Sequence, residues 1–196
     1  MQVAIDVEAL AIDALLSLVE DGGEQLERVT VKRVLERSGI SRQAFYNHFL
    51  DKHDLIAKVY ERRIIGEFDD EGARGGIDFR ESLTASLRRM RAHGTFLRQA
   101  FRMRGQNNLT EHALEHSRAF DLAWHQWLWG TEPMPDELRF ATDYHAMAST
   151  YMTISWIMSG FPVDEEEFAD LVCRMRSIGI DHLFEDAPNQ LVPYAT

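Results

Sequence analysis

Residues Thr30-Val-Lys-Arg-Val-Leu-Glu-Arg-Ser-Gly-Ile-Ser-Arg-Gln-Ala-Phe-Tyr-Asn-His-Phe49 decide how this chain is read. Thr30 and Ser41 each stand where a helix N-cap is wanted, and Gly39 falls between the two segments they open. Val31, Val34 and Leu35 share one face of the first segment and find Ile40, Ala44 and Phe45 to pack against. A sharp joint between the segments needs positive φ, which Gly39 supplies without a Cβ penalty. Two short helices hinged at a glycine form the helix-turn-helix pattern, in which the start of the second helix enters a major groove of duplex DNA. Arg42 and Gln43 lie in that first turn, free to reach base edges. Tyr46, His48 and Lys52 offer hydroxyl, imidazole and ammonium donors suited to phosphate oxygens. Thr30, Lys32, Arg33, Ser41 and Asn47 complete the polar surface expected to face DNA. A generic helical hairpin with a charged, solvated face is the competing reading.

Charge sharpens the choice. The 196 residues carry a net charge of −11, which on its face disfavours a polyanionic partner. The distribution is uneven: residues 1–27 hold seven acids and no Lys or Arg, residues 28–63 hold nine bases and four acids, and residues 64–196 hold 12 bases and 21 acids. The one basic segment is the one that carries the helix-turn-helix.

Outward from this motif, helical signals dominate. Val3 to Val19 is apolar on two faces, which predicts a deeply buried helix ended by Asp21, Gly22 and Gly23. Asp51 opens another, with Asp54 as a partial capping box and a pattern running to about Phe68. Gly72–Gly76 reads as a break. Beyond it, Asp78 and Glu81 cap a helix to about His93, Gly94 interrupts it, and Phe96 to Met103 adds one or two turns. Thr110 is placed to cap a long helix through Trp129, stopped by Gly130 and Pro133. Asp136 opens a further helix ending at Gly160, and Asp164 caps the last, with Glu165, Glu166 and Glu167 at its positive dipole end. The 12 Gly and 5 Pro are few for a protein of short strands. The expected class is all-α, with about nine helices.

The run Gly39-Ile-Ser-Arg-Gln-Ala-Phe-Tyr-Asn-His-Phe49, followed by Asp51, Lys52 and Leu55, resembles the signature of the TetR/AcrR family of bacterial transcriptional regulators. Matching features span roughly Val3 to Arg63. The long loop, the Trp-containing eighth helix and the acidic start of the ninth also resemble the subgroup of dihydroxyacetone kinase operon regulators. The resemblance implies a DNA-binding domain over residues 1–50, a linking helix and loop over 51–76, an effector-binding and dimerisation domain over 77–185, and a flexible tail over 186–196. It further implies a ligand-responsive repressor that binds a palindromic operator as a homodimer, with half-sites about 34–36 Å or a multiple apart. Partners are then double-stranded DNA, a second copy, and either a small-molecule effector or a partner protein. There are departures: Leu35 stands where Ala is usual, Gln43 for a common Gly, and Ala44 for a common Thr.

Tyr144 to Val163 gives 20 residues with no formal charge. That length could span a bilayer, but His145, Ser149, Thr150, Thr153, Ser155 and Ser159 make it too polar for lipid, so no membrane partner is expected. One stripe, Phe140, Tyr144, Met147, Tyr151, Ile154 and Met158, is bulky. Another, Ala141, His145, Ala148, Met152, Ser155 and Ser159, is smaller. One is expected to face the core and the other a partner. His145, Ala148, Met152, Ser155, Trp156 and Ser159 are taken as the dimer interface, which the resemblance places in a four-helix arrangement. Phe96, Phe101, Met103, Phe120, Trp124, His125, Trp127, Tyr144, Met147 and Tyr151 are candidates to line a cavity for a planar or apolar effector, against the plainer reading that they form core.

One enzyme-like pattern competes. His112, Glu115 and His116 match the H-x-x-E-H spacing of zinc peptidases, but no third ligand is evident, so a metal-dependent hydrolase is a remote alternative. The single cysteine, Cys173, excludes an internal disulfide and points to a cytoplasmic setting. No cofactor, metal or catalytic role is expected.

Overall fold

The computed structural model describes residues 6–66, 79–104, 108–129 and 135–178, the side chains of 124–129 and 177–178 excepted. Among the described residues there are nine helices and no strand, the all-α class read from the sequence. The first four are α1 (Val7–Glu20), α2 (Val31–Ser38), α3 (Arg42–His48) and α4 (Lys52–Val59), and α4 runs on as a π-helical segment over Tyr60–Ile65. The remaining five are α5 (Phe79–Ala92), α6 (Gly94–Ala100), α7 (Leu109–Trp129), α8 (Asp136–Met158) and α9 (Glu165–Ile178). The Gly72–Gly76 break, the Asp78 cap, the Gly130–Pro133 stop and the tail lie outside the described residues.

Helix α1 is the spine of the amino-terminal module. Ala11, Ile12, Ala14, Leu15, Leu16, Leu18 and Val19 are all buried on it, because α2, α3 and α4 pack on one side and α6 on another. Two apolar faces need two sets of neighbours, and α1 has them. Its cap is Asp6, whose carboxylate accepts from Ala9 N at 3.0 Å.

The helix-turn-helix closes as its residues predict. Thr30 Oγ1 accepts from Arg33 N at 3.2 Å, and Ser41 Oγ accepts from Ala44 N at 3.1 Å. Gly39 takes φ 73°, ψ 6°, the left-handed conformation that lets α2 end and α3 leave at an angle. Val34, Phe45 and Phe49 are buried, with Val31, Leu35 and Ile40 partly buried against them. A Cβ at Gly39 would meet nothing within 4 Å, so Gly39→Ala carries backbone strain alone. The expected loss is about 1–2 kcal/mol, read as a lowered thermal midpoint, and Gly39→Asn should lose less.

Two caps differ from the sequence reading. Asp54 accepts from Leu50 N at 2.9 Å while Asp51 accepts from His53 N and Asp54 N at 2.7 and 2.9 Å, so the reciprocal bond reaches one residue beyond the expected box. Asn108, not Thr110, caps α7, accepting from Glu111 N at 3.1 Å. The helix therefore begins early enough to bury Leu109. The linking helix stops at Gly66 (φ 64°), short of Phe68. Arg89 of α5 ends it, donating from Nε to Ile64 O and from Nη2 to Ile65 O, both at 2.6 Å. A π segment leaves last-turn carbonyls to be satisfied from elsewhere, and a guanidinium fork from the next domain does so.

In the carboxy-terminal domain α7 packs along α8, and α5 along α9. The face of α8 turned inward carries Thr142, Ala146, Thr150 and Ile157, together with Trp156. Small residues at three- and four-residue spacing let the two long helices approach closely. The turn after α8 is pinned by Val163 O, which accepts from Trp156 Nε1 at 3.0 Å and from Arg91 Nη2 at 2.8 Å. Phe161 enters that turn at φ 61° and lies edge-on to Trp156, with ring centroids 4.7 Å apart.

Candidate functional site: nucleic-acid interface and core cavity

The polar beginning of α3 stands clear of the fold. Arg42, Gln43, Tyr46, Asn47 and His48 are exposed, while Phe45 between them is fully buried and anchors the helix. Arg42 lies over the Tyr46 ring, 5.6 Å from its centroid, so two of the expected DNA-facing groups brace each other one helical turn apart. Thr30 and Ser41 spend hydroxyl lone pairs on their caps and keep their O–H for an outside acceptor. Lys32 is exposed, with a loose 3.8 Å contact to Glu36.

Two expected contacts have other engagements. Arg33 donates from Nε and Nη2 to Glu24 Oε1 at 3.0 and 2.9 Å, and this hydrogen-bonded carboxylate raises its pKa. Lys52 Nζ donates to Leu26 O at 3.1 Å and Glu27 O at 2.9 Å, tying the start of α4 to the chain just before α2. Burial pushes the Lys52 ammonium below its usual value, with Glu27 opposing that effect. Much of the basic segment is likewise answered within the chain: Arg62 pairs with Glu8 at 2.9 Å, Arg63 with Asp13, and Lys58 with Glu61 at 2.5 Å. The acidic α1 and the basic residues after α4 are partners, which the charge tally alone does not reveal.

A cavity of about 100 Å³ lies in the carboxy-terminal domain against the end of α4. Tyr60, Ile65, Phe79, Leu83, Met90, Phe101, Phe120, Ile154 and Ile157 give it apolar walls, and Ser86, His116, Ser117, Asp121, His145, Ser149 and Thr153 give it polar points. Phe101 and Phe120 are thus where the sequence put them. Phe96 is not: it is fully buried in the core, and Met103 packs against that core. Tyr144, Met147 and Tyr151 are also corrected, being 69%, 41% and 52% exposed on the outer face of α8. The side chains of Trp124, His125 and Trp127 lie outside the described ones.

The dimer-face assignment needs the opposite correction at two positions. Trp156 is 3% exposed and stacks on Phe168, and His145 lines the cavity. Ala148, Met152, Ser155 and Ser159 are exposed, as are Phe140, Tyr144 and Tyr151. Most of the bulky and small stripes therefore lie on one broad outer face, with His145 and Ile154 turned to the cavity, and a third, threonine-containing stripe is buried. Helix amphipathicity misled here because hydroxyl-bearing Thr142 and Thr150 are buried; Thr142 satisfies its hydroxyl by donating to Leu138 O at 2.7 Å.

Behind the cavity wall sits a charged cluster that pattern reading missed. Asp121, 3% exposed, accepts from His145 Nδ1 at 3.0 Å and from Arg176 Nη1 at 2.9 Å. Burial pushes the Asp121 carboxyl up, but the hydrogen bond from His145 and the Arg176 charge outweigh it and hold the carboxyl below its ordinary value. An ionised carboxylate only accepts, so His145 carries its hydrogen on Nδ1 and leaves Nε2 for another partner. Arg176 also lies 4.7 Å over the Phe79 ring. The cluster thus joins α5, α7, α8 and α9. A lone acid inside the apolar run Ala119-Phe120-Asp121-Leu122-Ala123 was its one signal in sequence.

The H-x-x-E-H pattern serves packing between α4 and α7. His112 and His116 both meet the Tyr60 ring edge-on at 6.3 Å, His112 Nε2 lies 3.1 Å from Glu61 Oε1, and Glu115 is exposed. Among the described residues no group of three or more His, Cys, Asp or Glu could hold a metal ion, and no helix is long and apolar enough to cross a membrane.

The two sites are joined through one residue, Leu26. Gln99 Oε1, on α6, accepts from Leu26 N at 2.7 Å, and Lys52 takes the Leu26 carbonyl. Phe101, two residues past Gln99, lines the cavity. His93 Nδ1, at the α5–α6 joint, adds a contact with Glu20 at the end of α1, 3.1 Å away.

An exposed, internally braced recognition helix on a glycine-hinged pair defines a helix-turn-helix DNA-binding regulator. Residues 12–59 match the family described as bacterial regulatory proteins, tetR family. Over those residues the chain is similar to that family, as the resemblance implied. Across the chain, the solved structure of a protein named dihydroxyacetone kinase operon activator DhaS superposes with a TM-score of 0.62 at 17% identity, covering 88% of this chain and 95% of that one. At that identity the likeness is one of fold. No curated protein matches.

Proposed function

We propose that this chain is a ligand-responsive repressor that binds a palindromic operator as a homodimer in the cytoplasm, acting by binding alone. One observation carries the reading: Leu26 is held through its N–H by Gln99 of the carboxy-terminal domain and through its carbonyl by Lys52, at the start of the helix that follows the recognition helix. A ligand pressing on Phe101 shifts α6, and with it the loop that sets the recognition helix. Only a ligand with different affinities for the two arrangements can move the equilibrium between them. The outer face of α8 from Tyr144 onward carries no charge and leaves Tyr144, Tyr151 and Met152 at 69%, 52% and 59% exposure, which suits a second copy. The same face favours a second reading, in which a partner protein is the regulator's signal. The structural neighbour is named an activator, so a reporter fused to the operator decides the sign of regulation.

The test is a footprint on DNA flanking the gene, followed by gel shifts with base-substituted operators. Arg42→Ala should relax base preference at one position per half-site, at a cost of about 1–3 kcal/mol. Lys52→Met should weaken all operators alike and leave the salt dependence unchanged, since its ammonium is already spent on carbonyls. Equal selectivity in the two variants, or no protected site at all, defeats the proposal.

A further inference from the structure

The cavity's charges are balanced before anything enters it. Asp121 and Arg176 cancel each other 2.9 Å apart, and His145 gives its Nδ1 hydrogen to the same carboxylate. An incoming carboxylate would face Asp121 with the nearby guanidinium already committed; an incoming ammonium would find Asp121, the one carboxylate among the described lining residues, doubly bonded. Either charge would be desolvated without a partner, which is costly in a site this buried. What remains on offer is His145 Nε2, the hydroxyls of Ser117, Ser149 and Thr153, and aromatic walls. Ser149 and Thr153 stand one turn apart on α8, and the Ser149 hydroxyl makes only a long 3.3 Å bond to Ala146 O, which a ligand oxygen could replace. Size sets an upper bound: an enclosed cavity of about 150 Å³ admits benzene, and this one, about 100 Å³ but partly open to solvent, holds no more than one ring with its substituent reaching toward the opening.

We propose that the cavity takes a small uncharged molecule, with an apolar body near the size of one ring and one or two hydroxyl or carbonyl groups. The inference rests on reading the cavity as the effector site. Selectivity against ions comes from the lack of an uncommitted counter-charge, since Asp121 and Arg176 are spent on each other, while the α7 and α8 hydroxyls orient the polar end.

The test uses the full chain at about pH 8, where an ordinary imidazole is neutral, and titrates benzyl alcohol, benzoate, benzylamine and glycerol by calorimetry. Benzyl alcohol should bind and raise the thermal midpoint, with the other three at least about tenfold weaker. In Asp121→Asn the Arg176 guanidinium, no longer neutralised by this carboxylate, should admit benzoate at least about tenfold more tightly than the unsubstituted protein does, with partial recovery of the midpoint. Should that variant not fold, Asp121→Asn combined with Arg176→Met removes both charges; it should keep benzyl alcohol and still reject benzoate. Thr153→Leu, which fills the cavity, should abolish benzyl alcohol binding. Benzoate or benzylamine matching benzyl alcohol in the unsubstituted protein overturns the inference, as does failure of all four probes. Operator affinity separates the two readings: benzyl alcohol binding without any change in DNA binding retires the effector role and leaves the ligand class supported.

Discussion

Asp121→Ala is expected to lower stability by about 3–5 kcal/mol, among the largest losses any single substitution in this chain should produce. The carboxylate is nearly enclosed and receives hydrogen bonds from two other helices. Removing it leaves the Arg176 guanidinium partly buried, and that charge has no neutral form to retreat to at ordinary pH. The pH dependence gives a second readout. Because the folded-state pKa of Asp121 is depressed, its contribution is fully present above the unfolded value of about 3.9. It is lost as pH falls below that value through the folded pKa. The variant should therefore lose stability at neutral pH and show a shallower decline on the acid side. Thermal melts from neutral to acid pH check both, and parallel curves for the two proteins would show that the cluster holds nothing together.

Tyr144→Glu combined with Tyr151→Glu is expected to convert a dimer into a monomer and reduce operator affinity by about 100-fold or more. Two linked half-site contacts gain that much from effective concentration, and a monomer forgoes it. Both side chains are more than half exposed in the single chain, so the substitutions should leave the monomer's own fold intact. Sedimentation and gel shifts read the two effects. A variant that stays dimeric and holds its operator places the self-contact elsewhere and gives the outer face of α8 to another partner.

These two experiments fall on the regions where sequence and structure parted. The helix-turn-helix is local: Thr30, Gly39 and Ser41 act within three residues of themselves, so their chemistry is printed in order along the chain. The tetR-family module could therefore be read directly, down to the exposed Arg42 and Gln43 and the buried Phe45. The cavity is different in kind. Asp121, His145 and Arg176 come from three helices, and Gln99 meets Leu26 across 73 residues. No periodicity links such positions, because their meeting depends on how helices cross.

The outer and inner faces of α8 show the same limit from another side. The sequence reading put Tyr144, Met147 and Tyr151 in the cavity wall, yet the fold buries Thr142 and Thr150 and leaves those three bulky side chains outside. What the sequence determined by itself was the all-helical class, the ends of α2 and α3 and the reading head, since each is set by contacts within a turn or two of chain. The tertiary structure alone decided which charges cancel, which face of α8 is left bare, and which residue connects cavity to recognition helix, because burial and pairing exist only once distant segments are brought together.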